Sequence, residues 1–76
     1  MVDPWYRGVI VRVSYGSESG VLRSDATGRE YPFRHPLVDI QGPIPRVDGL
    51  REGMAVGFDV ARSSLGVQVS VIKVFD

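Results

Sequence analysis

Short runs of β-branched and aromatic residues, broken every few positions by glycine or proline, constrain the fold of this chain more than any other feature. Nine glycines and five prolines are distributed over 76 residues. β-branched and aromatic residues favour strands, whereas glycine and proline favour the turns between them. The sequence contains no internal repeat and no helical periodicity of useful length. The pattern therefore predicts an all-β protein built from several short strands.

Five runs are predicted to be strands. The fourth gives the clearest signal, because Met54, Val56 and Phe58 alternate with small or polar residues, as in a strand with one buried face. In the last run the two faces are less clearly separated, since Val69 and Ile72 fall on opposite sides. The five runs cover residues 6–15, 19–23, 29–35, 54–61 and 67–75.

Residues 36–50 interrupt the strand pattern. Pro36 and Pro43 disfavour regular structure, yet Ile40 and Ile44 are too apolar for a freely solvated linker. We predict a long irregular loop here, between the third and fourth strands, with apolar side chains lying over one end of the sheet. Five strands, one long connection and no helix are most simply accommodated by a closed or nearly closed barrel.

The composition is that of a small protein of balanced charge. A chain of 76 residues suffices for one domain, covering residues 1–76. Nine basic and nine acidic residues cancel, which indicates no bulk attraction to a polyanion but leaves room for a basic face. The chain has no cysteine, so disulfides and thiolate metal sites are excluded. Because it lacks an apolar stretch of about 20 residues and a signal-type N-terminus, we predict a cytoplasmic protein without membrane contact, monomeric by default.

The chain offers little for catalysis. His35 is the only histidine, the carboxylates are scattered singly among arginines, and no glycine-rich phosphate loop is present. The serine pairs fit turns better than nucleophile motifs. We therefore predict a protein without enzymatic activity, cofactor or metal ion.

Two segments resemble the cold-shock domain family. Residues 8–11 open the chain as that family's first strand does, and residues 50–60 are similar to its L-x-E-G-x-x-V-x-F-x-V turn and fourth strand. Gly66 and Ile72 match its last turn and closing apolar position, so the resemblance extends over about residues 7–74. It implies a five-stranded antiparallel OB-fold barrel of the cold-shock type.

Cold-shock domains bind single-stranded RNA and DNA on a sheet face whose exposed aromatic residues stack on bases, within the motifs K-G-F-G-F-I and V-F-V-H. In this chain Ser19 and Val21 occupy the phenylalanine positions of the first motif, and Arg12 that of a preceding tryptophan. Phe33 and His35 keep the aromatic positions of the second motif. Because each stacking ring contributes about 1–3 kcal/mol, the loss of three implies weak binding of single-stranded RNA or DNA, with little specificity.

The resemblance also implies a contact face. Phe33 and His35 share strand parity and would project together as a base-contacting pair; alternatively, Phe33 faces inward as part of the core. Arg12 can stack its guanidinium on a base and neutralise a phosphate, unless the arginines form an ordinary solvated face. The nucleic-acid-binding residues are predicted to be Arg12, Ser19, Val21, Arg23, Phe33, Arg34 and His35.

A second interpretation comes from a different functional class. The barrel would be a scaffold that has lost nucleic-acid binding and contacts a protein partner instead. The lost aromatic positions and the apolar loop at residues 36–50 favour this interpretation. Its predicted contact residues are Trp5, Tyr6, Ile40 and Ile44.

Overall fold

Six strands and one short 3-10 helix make up residues 6–64 and 66–75, the part of the chain that the computed structural model describes. The all-β prediction is confirmed. No helix in this part of the chain is long and apolar enough to cross a membrane. The strands are β1 (Tyr6–Ser14), β2 (Ser19–Ser24), β3 (Glu30–Arg34), β4 (Asp39–Gln41), β5 (Ala55–Ser63) and β6 (Gly66–Val74), and the 3-10 helix is Val47–Gly49.

The strands form one mixed sheet in the order β3-β2-β1-β5-β6-β4. The five predicted runs correspond to β1, β2, β3, β5 and β6, which pair antiparallel with their neighbours. The sheet has one strand more than predicted, because β4 lies within the stretch expected to be irregular and pairs parallel with β6. The sheet also curls, so that β3 comes into contact with β6 although the two strands are not paired.

The core lies on the concave side of this curled sheet. Val56 and Phe58 of β5 are buried, as their alternation predicts. The loop between β4 and β5 adds Val47 and Leu50, which cover one end of the core. The buried apolar side chains are Ile10, Leu22, Phe33, Val38, Ile40, Val47, Leu50, Val56, Phe58, Val69 and Ile72.

Two irregularities in the pairing explain why β1 and β6 lack a clean alternation. In β1 the register shifts between Ile10 and Arg12, so the inward residues are even-numbered before the shift and odd-numbered after it. In β6, Val69 and Ile72 are both buried because Asp59 pairs with Val71 while Val60 pairs with Val69, leaving one extra residue on β6. Such bulges bend and twist a strand, which helps the sheet to curl.

A polar clamp attaches the β4–β5 connection to the turn after β1. The Tyr15 hydroxyl donates a hydrogen bond of 2.6 Å to the backbone oxygen of Leu50. Arg51 Nη1 donates to the backbone oxygens of Asp48 at 3.0 Å and of Leu50 at 3.1 Å. Because Leu50 is fully buried, the clamp holds a core residue that no regular strand positions.

Changing Tyr15 to phenylalanine tests this clamp. Loss of one intramolecular hydrogen bond should lower the free energy of unfolding by about 1 kcal/mol, seen as a lower urea midpoint with an unchanged slope. Tyr6→Phe is the matched control, because no hydrogen bond to the Tyr6 hydroxyl is found within the described residues. Equal midpoints for the two variants would contradict the clamp.

Candidate functional site

The predicted surface pair of Phe33 and His35 does not form, because Phe33 belongs to the core. Its side chain is only 2% exposed, and it pairs with Gly20 of β2, whose missing side chain leaves room for the ring. Burying Phe33 turns Pro32 and Arg34 outward, which avoids the cost of an unpaired buried guanidinium. His35 is exposed in the turn after β3, where its backbone N–H donates to the Glu18 oxygen at 2.9 Å. The inward alternative for Phe33 is therefore confirmed.

The other predicted binding residues lie together on the convex side of β1, β2 and β3. Directly paired residues of neighbouring strands project from the same face, and the opposite faces of these strands carry the buried Ile10, Leu22 and Phe33. We call this surface the arginine face. Its three rows are Val9–Arg23–Glu30, Arg12–Val21–Pro32 and Ser14–Ser19–Arg34.

Positive charge dominates the arginine face. Arg23 lies 3.6 Å from Glu30, and both side chains are about half exposed, so this ion pair is weak and open to competition by another anion. Arg12 and Arg34 have no side-chain hydrogen bond or ion pair within residues 6–64 and 66–75. Guanidinium groups bind phosphate with a planar fork of donors. The face can therefore neutralise phosphates.

The arginine face offers no stacking platform. None of the positions in its three described rows carries an aromatic ring. The Ser19 hydroxyl forms a hydrogen bond of 2.7 Å with the Ser17 hydroxyl, and Val21 is only partly exposed. Stacking of bases on this face would therefore be limited to the arginine side chains.

The residues predicted for a protein contact are dispersed. The expectation of a surface role for Ile40 is wrong: it is 6% exposed and lies in the middle of β4, facing the core. Ile44 is 47% exposed and Tyr6 60% exposed, but they lie in the β4–β5 connection and at the start of β1. Trp5 lies outside the described residues.

A second site, which the sequence did not reveal, is a groove between the start of β1, the end of β2 and the middle of β5. It has a volume of about 230 Å³ and contains the rings of Tyr6, Tyr31 and Phe58. The Phe58 ring lies 5.8 Å from each tyrosine ring, tilted by 39° to Tyr6 and by 44° to Tyr31. We call this the aromatic groove. Tyr31 and Phe33 are two residues apart on β3 and therefore face the same side, so burial of Phe33 also turns Tyr31 inward. This spacing was the one signal of the groove in the sequence.

Comparison with known proteins gives no assignment for either site. The sequence matches no family model, and no curated protein matches it significantly. The arginine face and the aromatic groove are therefore the features that bear on the function of the chain.

Proposed function

We propose that the chain is a divergent, cold-shock-like OB barrel that binds single-stranded RNA or DNA weakly and with little sequence preference. The proposed fold is supported by the arrangement of the five longer strands. β1 lies between β2 and β5, and β3 contacts β6 without pairing, so the sheet is curled but open. This arrangement is compatible with a partly open Greek-key barrel. In this proposal, β4 is an addition within the long connection.

The observation that carries the proposed function is the grouping of Arg12, Arg23 and Arg34 on one face. Strands lie about 5 Å apart and alternate residues of a strand about 7 Å apart, so the three arginines are spread over a surface that several phosphates of a flexible strand can follow. Phosphate contacts supply affinity without reading sequence. Since the face lacks aromatic rings, binding should lie near the range of non-specific complexes, with a Kd of roughly 10⁻⁴ to 10⁻⁶ M at physiological salt.

Changing Arg12 and Arg34 together to glutamine tests this proposal. Affinity for a labelled oligouridine should fall, because the change removes two cations that have no side-chain partner among the described residues. Each lost phosphate contact lowers the salt slope of the binding constant by about 0.7 for a single strand, so the double variant should lose about 1.4. Fluorescence anisotropy at several salt concentrations measures both quantities.

The matched control is Arg46→Gln. Arg46 is exposed in the β4–β5 connection, away from the three rows, and its side chain has no partner within the described part of the chain. This control removes one positive charge, whereas the tested variant removes two. The comparison should therefore include a double control that combines Arg46→Gln with Arg62→Gln, on β5. Equal losses in the double variant and the double control would show general charge attraction and contradict a specific face.

A second candidate function, protein interaction, is favoured by a shallow apolar depression beside the β4–β5 connection. Pro43, Ile44, Met54 and Val74 contribute to it, and its volume is about 190 Å³. No response of the arginine face to millimolar oligonucleotide at low salt would remove the first candidate and leave this one.

A further inference from the structure

We propose that the aromatic groove binds a single unpaired nucleobase. As a contact for a nucleic-acid strand, this inference rests on the proposed function; as a site for a free nucleotide, it does not. The groove faces the concave side of the sheet and is therefore separate from the arginine face. Its shape, its hydroxyl groups and the charges beside it all fit this ligand.

The shape of the groove suits one flat ring system. Phe58 is 2% exposed and forms the floor, while Tyr6, 60% exposed, and the partly buried Tyr31 form the sides. The tyrosine rings are tilted relative to Phe58 and do not stack on it, so their faces remain available to a ligand. A volume of about 230 Å³ is below the roughly 300–1,000 Å³ typical of sites for larger organic ligands.

The polar atoms of the groove favour a ring that can form hydrogen bonds. Ser24 lines the groove and is 6% exposed, yet its hydroxyl has no hydrogen-bond partner among the described residues. In that same part of the chain no fully buried side-chain polar atom is left unpaired, so this hydroxyl must be reached from the groove. The hydroxyl groups of Tyr6 and Tyr31 are also unpaired there. An aliphatic ligand would dehydrate the Ser24 hydroxyl without replacing its hydrogen bond, whereas a nucleobase has donors and acceptors along its edges.

The charges beside the groove favour a ligand that carries phosphate. Arg29 is exposed in the β2–β3 turn, where its backbone N–H donates to Thr27 Oγ1 at 3.1 Å. Its guanidinium has no ion pair within residues 6–64 and 66–75. Arg23 of the arginine face directly precedes Ser24 on the opposite side of β2. Asp25 is the acidic residue of this turn, so the charge is mixed and the rings must supply much of the affinity. A strand bound to the arginine face can thus pass around the turn and place one base in the groove.

Three ligands separate the possible sources of that base: uridine 5′-monophosphate, an oligouridine, and an abasic sugar–phosphate oligomer of the same length. We expect the side-chain NMR signals of Tyr31 and Phe58, and the amide of Ser24, to shift with both base-bearing ligands and not with the abasic oligomer. The signals of Arg12 and Arg34 should shift with both oligomers, and these shifts should fade as salt is added.

Two variants test the groove without disturbing its floor. Tyr6→Ala removes an exposed wall and should weaken oligouridine binding roughly fivefold or more, the lower end for loss of a stacking ring. Ser24→Ala keeps the shape of the groove. It should weaken the binding of uridine 5′-monophosphate and oligouridine and leave the binding of the abasic oligomer unchanged. Ile44→Ala, an exposed apolar residue elsewhere, is the control and should bind as the unchanged chain does.

The outcomes for the two sites are distinguishable. Equal binding of the abasic and base-bearing oligomers, with unmoved groove signals, would overturn the nucleobase site and leave the arginine face standing. Groove shifts with a phenylalanine-bearing peptide and none with uridine 5′-monophosphate would also overturn it, in favour of a protein side chain. If the groove signals shift with uridine 5′-monophosphate but the signals of Arg12 and Arg34 do not shift with either oligomer, the nucleobase site is supported and the arginine face is overturned.

Discussion

Replacing Phe33 with alanine is expected to lower the free energy of unfolding by about 3–5 kcal/mol, the usual cost of truncating a buried phenylalanine. The ring is 2% exposed and faces Gly20 across the β2–β3 pair, so its loss leaves a cavity that Gly20 has no side chain to fill. A domain of 76 residues has a total stability of roughly 4–11 kcal/mol. The variant should therefore lose a large part of its stability, which urea unfolding followed by circular dichroism would measure.

His35→Ala is the control for the Phe33 variant. His35 is two residues away, exposed and outside the strand, so its replacement should change the free energy of unfolding by about 0.5 kcal/mol or less. The opposite pattern would restore the surface role for Phe33: a Phe33→Ala variant with an unchanged urea midpoint and reduced binding of oligouridine.

The orientation of Phe33 illustrates how far local sequence can predict this fold. Strand alternation predicts that Phe33 faces opposite to Pro32 and Arg34, and either choice is compatible with the strand itself. The partner strand determines the orientation of Phe33, because Gly20 leaves room for a ring on the inner side. By contrast, β5 was predictable, because Val56 and Phe58 alternate with residues that cannot form a core.

The features that the sequence could not predict depend on pairing between distant segments. The bulge in β1 falls at Val11 and that in β6 at Ser70. Each strand carries apolar residues on both faces around its bulge, so strict alternation does not mark the change of face. β4 has three residues and one buried side chain, Ile40, which is too short for a periodic signal. Tyr6, Tyr31 and Phe58 come from three strands, so the aromatic groove exists only once β1 pairs with β5.

The arginine face was largely predictable, because residues of one strand that are two apart lie on one side. Ser19, Val21 and Arg23 are such a set on β2, and burial of Leu22 fixes which way they point. The sequence could not indicate that the arginines and the aromatic rings of the groove lie on opposite surfaces of the sheet. The convex rows carry Arg12, Arg23 and Arg34, whereas the rings of Tyr6, Tyr31 and Phe58 are gathered on the concave side. The two proposals therefore assign phosphate binding and base stacking to different surfaces of the sheet.

Replacing Gly20 with alanine should lower the free energy of unfolding by about 1–2 kcal/mol, because overpacking outweighs the entropy gained by removing glycine. A Cβ atom at this position would overlap the backbone oxygen of Arg12 on β1 and approach Cζ of Phe33 on β3 to 2.5 Å. A strand backbone and a core ring cannot yield as an exposed side chain can, so β1, β2 and β3 must shift against one another. Overpacking of this kind costs about 1–3 kcal/mol, and the smaller backbone entropy gained by removing glycine offsets only part of it.

Gly16→Ala separates the packing effect from the general effect of replacing glycine. Nothing lies within 4 Å of a Cβ at Gly16, and the turn is exposed, so this variant should be neutral or up to about 1 kcal/mol more stable. Urea midpoints for both variants measure the difference. If Gly20→Ala were as stable as Gly16→Ala, β2 could not pass as closely over Phe33 as described. The inward position of that ring, and with it the outward position of Arg34 on the arginine face, would then be wrong.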